Sequence, residues 1–447
     1  MESENHVKLL TNSRLNRREF LQYSLLAGAG AVISSGCAVN PVTGKNQLMM
    51  VSEQTEISID KQQSPHQFSA DYGVVQDVKL NSYITQIGRN LALKTHRPSM
   101  PYSFRCVNAT YINAYAFPGG SIAVTRGILL ELKNEAELAA LLGHELGHVN
   151  ARHSAEQMSK GTLSSILVGG VAAVIGSRNA QMGELAQQIG MVGQGVLLAR
   201  YSRDNEREAD GLGNSYMVDA GYSTDGFVGL MSLLNSMNKG HNASAEILFS
   251  THPMGSERYE TAIQNATGKF RNSRNLPLNR ERYMDNIAIL RSKEDLIKTL
   301  QNGDTMMAEG KYDEAIAAFK GAVKKYPDDY TANLMLAKCL LVKKDYKDAR
   351  LHAGEASKIY PSEAQSLHVM GFASINMKKY DDALSSFSRY EQLLPGSPGT
   401  LFFKGYAYEG MKRTEESAGQ YKAYLQQVQQ GDYAKHAYQR LKEWGYL

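Results

Sequence analysis

A 34-residue period runs through the last third of this 447-residue chain. Tyr312, Tyr346 and Tyr380 are each 34 apart, and so are Pro327, Pro361 and Pro395. Ala315, Ala349, Ala383 and Ser417 form a third register, and Gly303, Ala337, Gly371 and Gly405 a fourth. Small residues at fixed places let two helices approach closely. The aromatics fill the space beside them, and proline stops the second helix. One such unit cannot bury its apolar face alone, so the pattern requires stacking into a solenoid.

This period and residue choice resemble tetratricopeptide repeats. Four helical pairs are expected between about 293 and 430, the fourth degenerate, since no tyrosine stands 34 residues after Tyr380. A last helix over 434–444 caps the stack. Stacked pairs make a concave groove, which suits a peptide segment or a partner protein. The plainer alternative is a spacer that only positions the rest of the chain.

The chemistry lies upstream, in His144-Glu145-Leu146-Gly147-His148. Positions i and i+4 share a helical face, so both imidazoles can hold one ion while Glu145 faces its open side. Asn134 reads as a helix N-cap with Glu137 placed to close a capping box. Leu138, Leu141, Leu142, Leu146 and Val149 follow at helical spacing and predict one buried face. A third protein ligand is then needed. The metzincin extension is excluded, because Ala151 and Ser154 stand where its Gly and His belong. His153 lies about 140° around a continuing helix from His148, which suits an outer partner or a surface residue better than a ligand. Glu206 and Asp210 also stand at i and i+4. Glu206 can coordinate the ion while Asp210 accepts the outer N–H of a ligating histidine and fixes its tautomer. Glu208 falls on another face and reads as a solvated charge.

HELGH followed by Ser202-Arg203-Asp204-Asn205-Glu206-Arg207-Glu208-Ala209-Asp210 resembles the zinc metallopeptidases related to HtpX and to the CAAX prenyl endopeptidases. Their pattern is HExxH and then SRxxExxAD. The stretches Asn113 to Gly120 and Ser121 to Gly127 are similar to that family's strand before the active-site helix, as is Thr251-His252-Pro253 with Arg258 beyond it. The resemblance covers roughly residues 38 to 265. It implies one zinc ion per chain held by His144, His148 and Glu206, with Glu145 as general base and His252 and Arg203 as further catalytic residues. His252 suits two roles, donating to the oxyanion or occupying the open metal position and holding the enzyme off. Asn113, Ala114 and Tyr115 are candidate substrate-binding residues, on a strand that can pair with an extended peptide.

The first 37 residues read as an export signal. Arg17-Arg18-Glu19-Phe20-Leu21 is close to a twin-arginine motif, and an apolar stretch from Tyr23 to Ile33 leads to Ser34-Ser35-Gly36-Cys37. That end resembles a lipoprotein cleavage site, which predicts a lipid anchor at Cys37. Ala38 after it favours the outer membrane. A second apolar run, Leu163–Ile175, is too short to span a bilayer and reads as a buried or interfacial helix. Cys106 and Cys339 fall in different domains and predict no disulfide. A formal charge of +4 gives no nucleic-acid footprint.

The expected architecture is mostly α. A signal segment (1–37) precedes an α+β, gluzincin-type metallopeptidase domain with a small sheet (38–269). A connection (270–292) then leads to the repeat solenoid and its cap (293–447). The expected activity is a zinc endopeptidase of the bacterial periplasm that degrades or processes misfolded or unassembled envelope proteins. The repeat groove would select these partners. The competing expectation is a repeat-based chaperone or scaffold with a latent peptidase.

Overall fold

The computed structural model describes residues 37–44, 46–159 and 200–447. The expected export segment before Cys37 and the run Leu163–Ile175 lie outside the described residues. No helix among the described residues is long and apolar enough to cross a membrane.

The first half opens with a short hairpin, β1 (Cys37–Val39) against β2 (Asn46–Leu48), then α1 (Glu53–Ala70) and α2 (Val78–Ala92). Three strands form the main sheet: β3 (Ser103–Val107), β4 (Ala114–Ala116) and β5 (Ser121–Thr125). β5 is central, parallel to β3 and antiparallel to β4, which leaves β4 at the edge. Thr125 ends β5 and caps α3 (Arg126–Glu131) by accepting the Ile128 N–H. Next come α4 (Glu135–Asn150) and α5 (His153–Ser159). After the undescribed stretch follow α6 (Arg203–Asp219), α7 (Thr224–Lys239), α8 (Glu246–Thr251) and α9 (Ser256–Thr267).

α4 carries the HELGH pentad and is buried on every side from Glu135 to Asn150. This corrects the single buried face predicted from leucine spacing. A helix apolar or satisfied all round belongs in the middle of a domain, and α4 packs against α6, α7, α2 and the sheet. Asn134 caps it, accepting the Glu137 N–H at 2.9 Å. The Glu137 carboxylate reaches back one residue further than a capping box requires, to the Lys133 N–H at 2.6 Å.

The connection is not a free tether. It forms α10 (Arg280–Asn286) and α11 (Ala288–Arg291), and Tyr283, Ile287 and Leu290 enter the core of the first half. The repeats follow as the pairs α12 (Glu294–Ala308) with α13 (Tyr312–Lys325), α14 (Tyr330–Val342) with α15 (Tyr346–Ile359), α16 (Gln365–Asn376) with α17 (Tyr380–Leu393), and α18 (Pro398–Gly410) with α19 (Thr414–Gln427). α20 (Asp432–Glu443) closes the stack. The small-residue register has a steric cause. A Cβ on Gly303 would come within 2.3 Å of the Phe319 ring, and one on Gly371 within 2.7 Å of Phe387.

The inner face of α14 is not an open groove. Every residue from Tyr330 to Leu341 is buried, because the end of α1 and the turn after it lie against the solenoid. The Ser69 hydroxyl bonds the Glu363 carboxylate, and the Lys338 ammonium sits 4.4 Å above the Tyr72 ring. Arg126 and Asp329 form a buried ion pair at 3.1 Å, and the Gln301 amide donates to the Thr110 carbonyl at 2.6 Å. The two halves therefore share a polar, interlocked interface.

Candidate metal centre

The site depends on two helices that come unusually close. A Cβ on Gly147 would lie 2.8 Å from the Ala209 carbonyl, and one on Gly213 would lie 2.6 Å from the His144 nitrogen. Only glycine permits this separation, and it sets Glu206 of α6 directly over both histidines of α4. Ser202 caps α6 in a reciprocal box with Asn205, which fixes where its first turn begins.

Four buried groups converge on one point: His144, His148, Glu206 and His252, with one donor atom from each lying within 4.8 Å of the others. The Nε2 atoms of His144 and His148 face each other at 3.1 Å. Glu206 places Oε1 3.2 Å from His148 Nε2 and Oε2 3.5 Å from His144 Nε2. His252, just past α8, brings Nδ1 to 3.0 Å from Glu206 Oε1 and 3.4 Å from His144 Nε2. Three imidazoles and a carboxylate aimed inward fit a tetrahedral zinc-type ion.

A second layer holds these groups. Asp210 Oδ1 lies 3.0 Å from the outer nitrogen of His144. Arg258 grips Asp210 through Nε and Nη2 and reaches Glu206 Oε2 with Nη1 at 2.6 Å. The Tyr201 ring stacks on His148 with centroids 3.7 Å apart.

Burial alone would make His144 less basic, but the carboxylates of Glu206 and Asp210 outweigh it and raise its pKa to about 10. Burial works against the Glu206 charge too, yet His252 and His144 hold that carboxyl well below its usual range. Burial dominates at His148, keeping it neutral. Burial also raises Glu145, whose Oε1 lies 3.9 Å from His252 Nε2.

The other predicted residues stand apart from this cluster. Arg203 is exposed on the first turn of α6 and bonds none of the cluster residues. Asn113 is fully buried, with its backbone paired to Thr125. Ala114 and Tyr115 lie on β4, and the Tyr115 hydroxyl turns to Asp71 at 2.5 Å. Arg258 and Glu208 join the cluster without a role expected from the sequence, while His153 takes the outer place that was one of its two expected readings. His153 Nδ1 is 2.9 Å from His148 Nδ1, and Glu208 Oε2 is 3.2 Å from His153 Nε2. The His153–Glu208 contact escaped a helical wheel because the helix stops at Asn150. Arg152 then takes a left-handed conformation (φ 60°) and swings His153 back over His148.

Residues 79–266 match the model of peptidase family M48, and residues 306–369 match a tetratricopeptide repeat model. The beta-barrel assembly-enhancing protease of Yersinia pestis is 29% identical over 210 residues, covering 45% of this chain and 42% of that protein. Its namesake in Escherichia coli (strain K12) is 27% identical over 198 residues, covering 43% of this chain and 40% of that one. Metalloprotease YcaL of Escherichia coli (strain K12) is 32% identical over 168 residues, covering 37% of this chain and 63% of that one. The chain thus matches less than two thirds of the length of each of these relatives. It carries a peptidase family M48 metallopeptidase domain followed by tetratricopeptide repeats.

Proposed function

We propose that the protein is a zinc-dependent endopeptidase of the bacterial cell envelope that degrades or processes misfolded or unassembled envelope proteins. The observation that carries this reading is the buried convergence of His144, His148 and Glu206, with Glu145 alongside. The relatives' names supply the envelope setting. The twin-arginine-like segment and Cys37 supply the proposed route and lipid anchor, with the outer membrane as the destination.

In this reading His144, His148 and Glu206 hold the zinc, and Asp210 orients His144 through its outer nitrogen. Zinc bound there supplies a Lewis acid for a peptide carbonyl and acidifies a water. Glu145 takes the proton from the attacking water and returns it to the leaving amine. A carboxyl whose pKa is raised by burial suits both transfers. The edge strand β4, through Asn113, Ala114 and Tyr115, offers backbone groups to an extended substrate. Arg203, exposed at the head of α6, is the further candidate catalytic residue of this reading.

A second feature favours a latent state. His252 sits within the ligand cluster, and Glu145 is 1% exposed. With an ion held there, His252 would have to move before a substrate carbonyl could take its place. The repeats, whose inner face is partly covered by α1, are the proposed selector of partners. Glu145→Gln should keep one zinc per chain and lose proteolysis of an unfolded substrate by about 10²–10⁴-fold. His252→Ala should raise it. Undiminished proteolysis by the Glu145 variant would remove that residue from the mechanism.

A further inference from the structure

We propose that His153 and Glu208 are positioning residues for the metal centre, acting through His148. The inference rests on the zinc reading above and extends it to two side chains outside the ligand set.

The geometry permits one consistent arrangement of protons. His148 Nε2 faces the ion position, 3.2 Å from Glu206 Oε1 and 3.1 Å from His144 Nε2. To coordinate, that nitrogen must carry no proton. The single ring proton of neutral His148 then sits on Nδ1, where His153 Nδ1 accepts it at 2.9 Å. His153 must in turn carry its own proton on Nε2, and Glu208 Oε2 accepts there at 3.2 Å. A carboxylate, two imidazoles and the ion position form one line. Each hydrogen bond selects the tautomer of the next ring.

Three further observations support this. His153 is 1% exposed, so the relay is shielded from competing water. The Tyr201 ring stacks on His148 with planes 19° apart, leaving in-plane bonds to set the ring's rotation. The left-handed Arg152 that aims His153 is itself held, its guanidinium bonding the buried Glu56 carboxylate at 3.1 Å and the Val51 carbonyl at 2.6 Å. His144 has a direct carboxylate on its outer nitrogen, Asp210. His148 has the same device extended by one imidazole.

The test is zinc affinity of the full chain, measured by competition with a chromophoric chelator and independent of proteolysis. His153→Phe keeps the buried ring but removes the acceptor, and it should weaken zinc binding about 10–100-fold. Glu208→Ala should weaken it about tenfold, while Glu208→Gln, whose amide oxygen still accepts from His153, should stay near the unmodified protein. In the cobalt-loaded protein, His153→Phe should also shift the visible absorption bands. Equal affinity in His153→Phe and the unmodified protein would overturn the proposal. Should His153→Phe not fold, Glu208→Ala decides the matter, since that side chain is 31% exposed. Failure of the unmodified chain to bind zinc would instead reject the metal-centre reading itself.

Discussion

Arg258 holds Asp210 by two parallel bonds, Nε to Oδ2 and Nη2 to Oδ1, each 2.7 Å long. Its third nitrogen contacts Glu206, so one guanidinium neutralises two carboxylates that would otherwise repel each other at the ion site. Removing it leaves buried charge uncompensated. Arg258→Ala should cost about 3–5 kcal/mol in urea unfolding. Arg258→Lys should recover only a small part, because a single ammonium cannot reproduce the planar fork. Full rescue by lysine would show that only charge, and not geometry, is needed.

Gly213 offers a test of the helix contact. Glycine to alanine inside a helix normally stabilises by about 0.5–1 kcal/mol. Here the new methyl would meet the His144 nitrogen at 2.6 Å and Gly143 at 2.8 Å. Both are backbone and cannot rotate away. Gly213→Ala should therefore destabilise by about 1–3 kcal/mol and move Glu206 away from the histidines, with weaker zinc binding. Calorimetry and chelator competition measure the two effects.

The interface between the halves makes a further prediction. Asp329 pairs with buried Arg126 at 3.1 Å and also caps α14 by accepting the Ala332 N–H at 2.9 Å. Asp329→Asn keeps the cap and loses the charge; Asp329→Ala loses both. The alanine variant should be less stable than the asparagine variant by about 1 kcal/mol. Both should fall about 3 kcal/mol or more below the unmodified protein, since each strands a buried guanidinium.

His368 should make the repeats sensitive to acid. Its ring is buried against Phe387, Tyr390 and Phe403. Burial and then the Lys338 charge depress its pKa to about 3. Between pH 6.5 and 3 the unfolded chain binds a proton there that the folded chain does not. Stability is therefore complete above pH 6.5 and declines on acidification, by up to about 1.4 kcal/mol per pH unit from this group. His368→Phe should flatten the profile in that window. An unchanged slope would mean that other groups set the acid limit.

Much of this was legible in the sequence, for identifiable reasons. The solenoid was readable because sterics repeat: Gly303 and Gly371 each face a phenylalanine, and the same clash recurs every 34 residues. That His144 and His148 share one helical face, and Glu206 and Asp210 another, was readable from their i and i+4 spacing. The pairing of those helices was not readable, since it depends on Gly147 meeting Ala209 across the fold. His153 was read on a wheel that stops at Asn150, and Glu208 was taken as solvated because its partner arrives through the left-handed turn at Arg152. The uniform burial of α4 escaped leucine counting because Glu135 is satisfied internally. The Tyr83 and Tyr222 hydroxyls donate to it at 2.8 and 2.9 Å. The covered inner face of α14 escaped because its occupant, the end of α1, is remote in sequence.

X-ray absorption spectroscopy of the purified, zinc-loaded chain tests the metal centre most directly. One zinc per chain is expected in a shell of nitrogen and oxygen at about 2.0–2.2 Å, dominated by imidazole, with His148→Ala and Glu206→Gln losing the ion and Glu145→Gln keeping it. A sulfur neighbour at about 2.3 Å, or full zinc occupancy in His148→Ala, would contradict it.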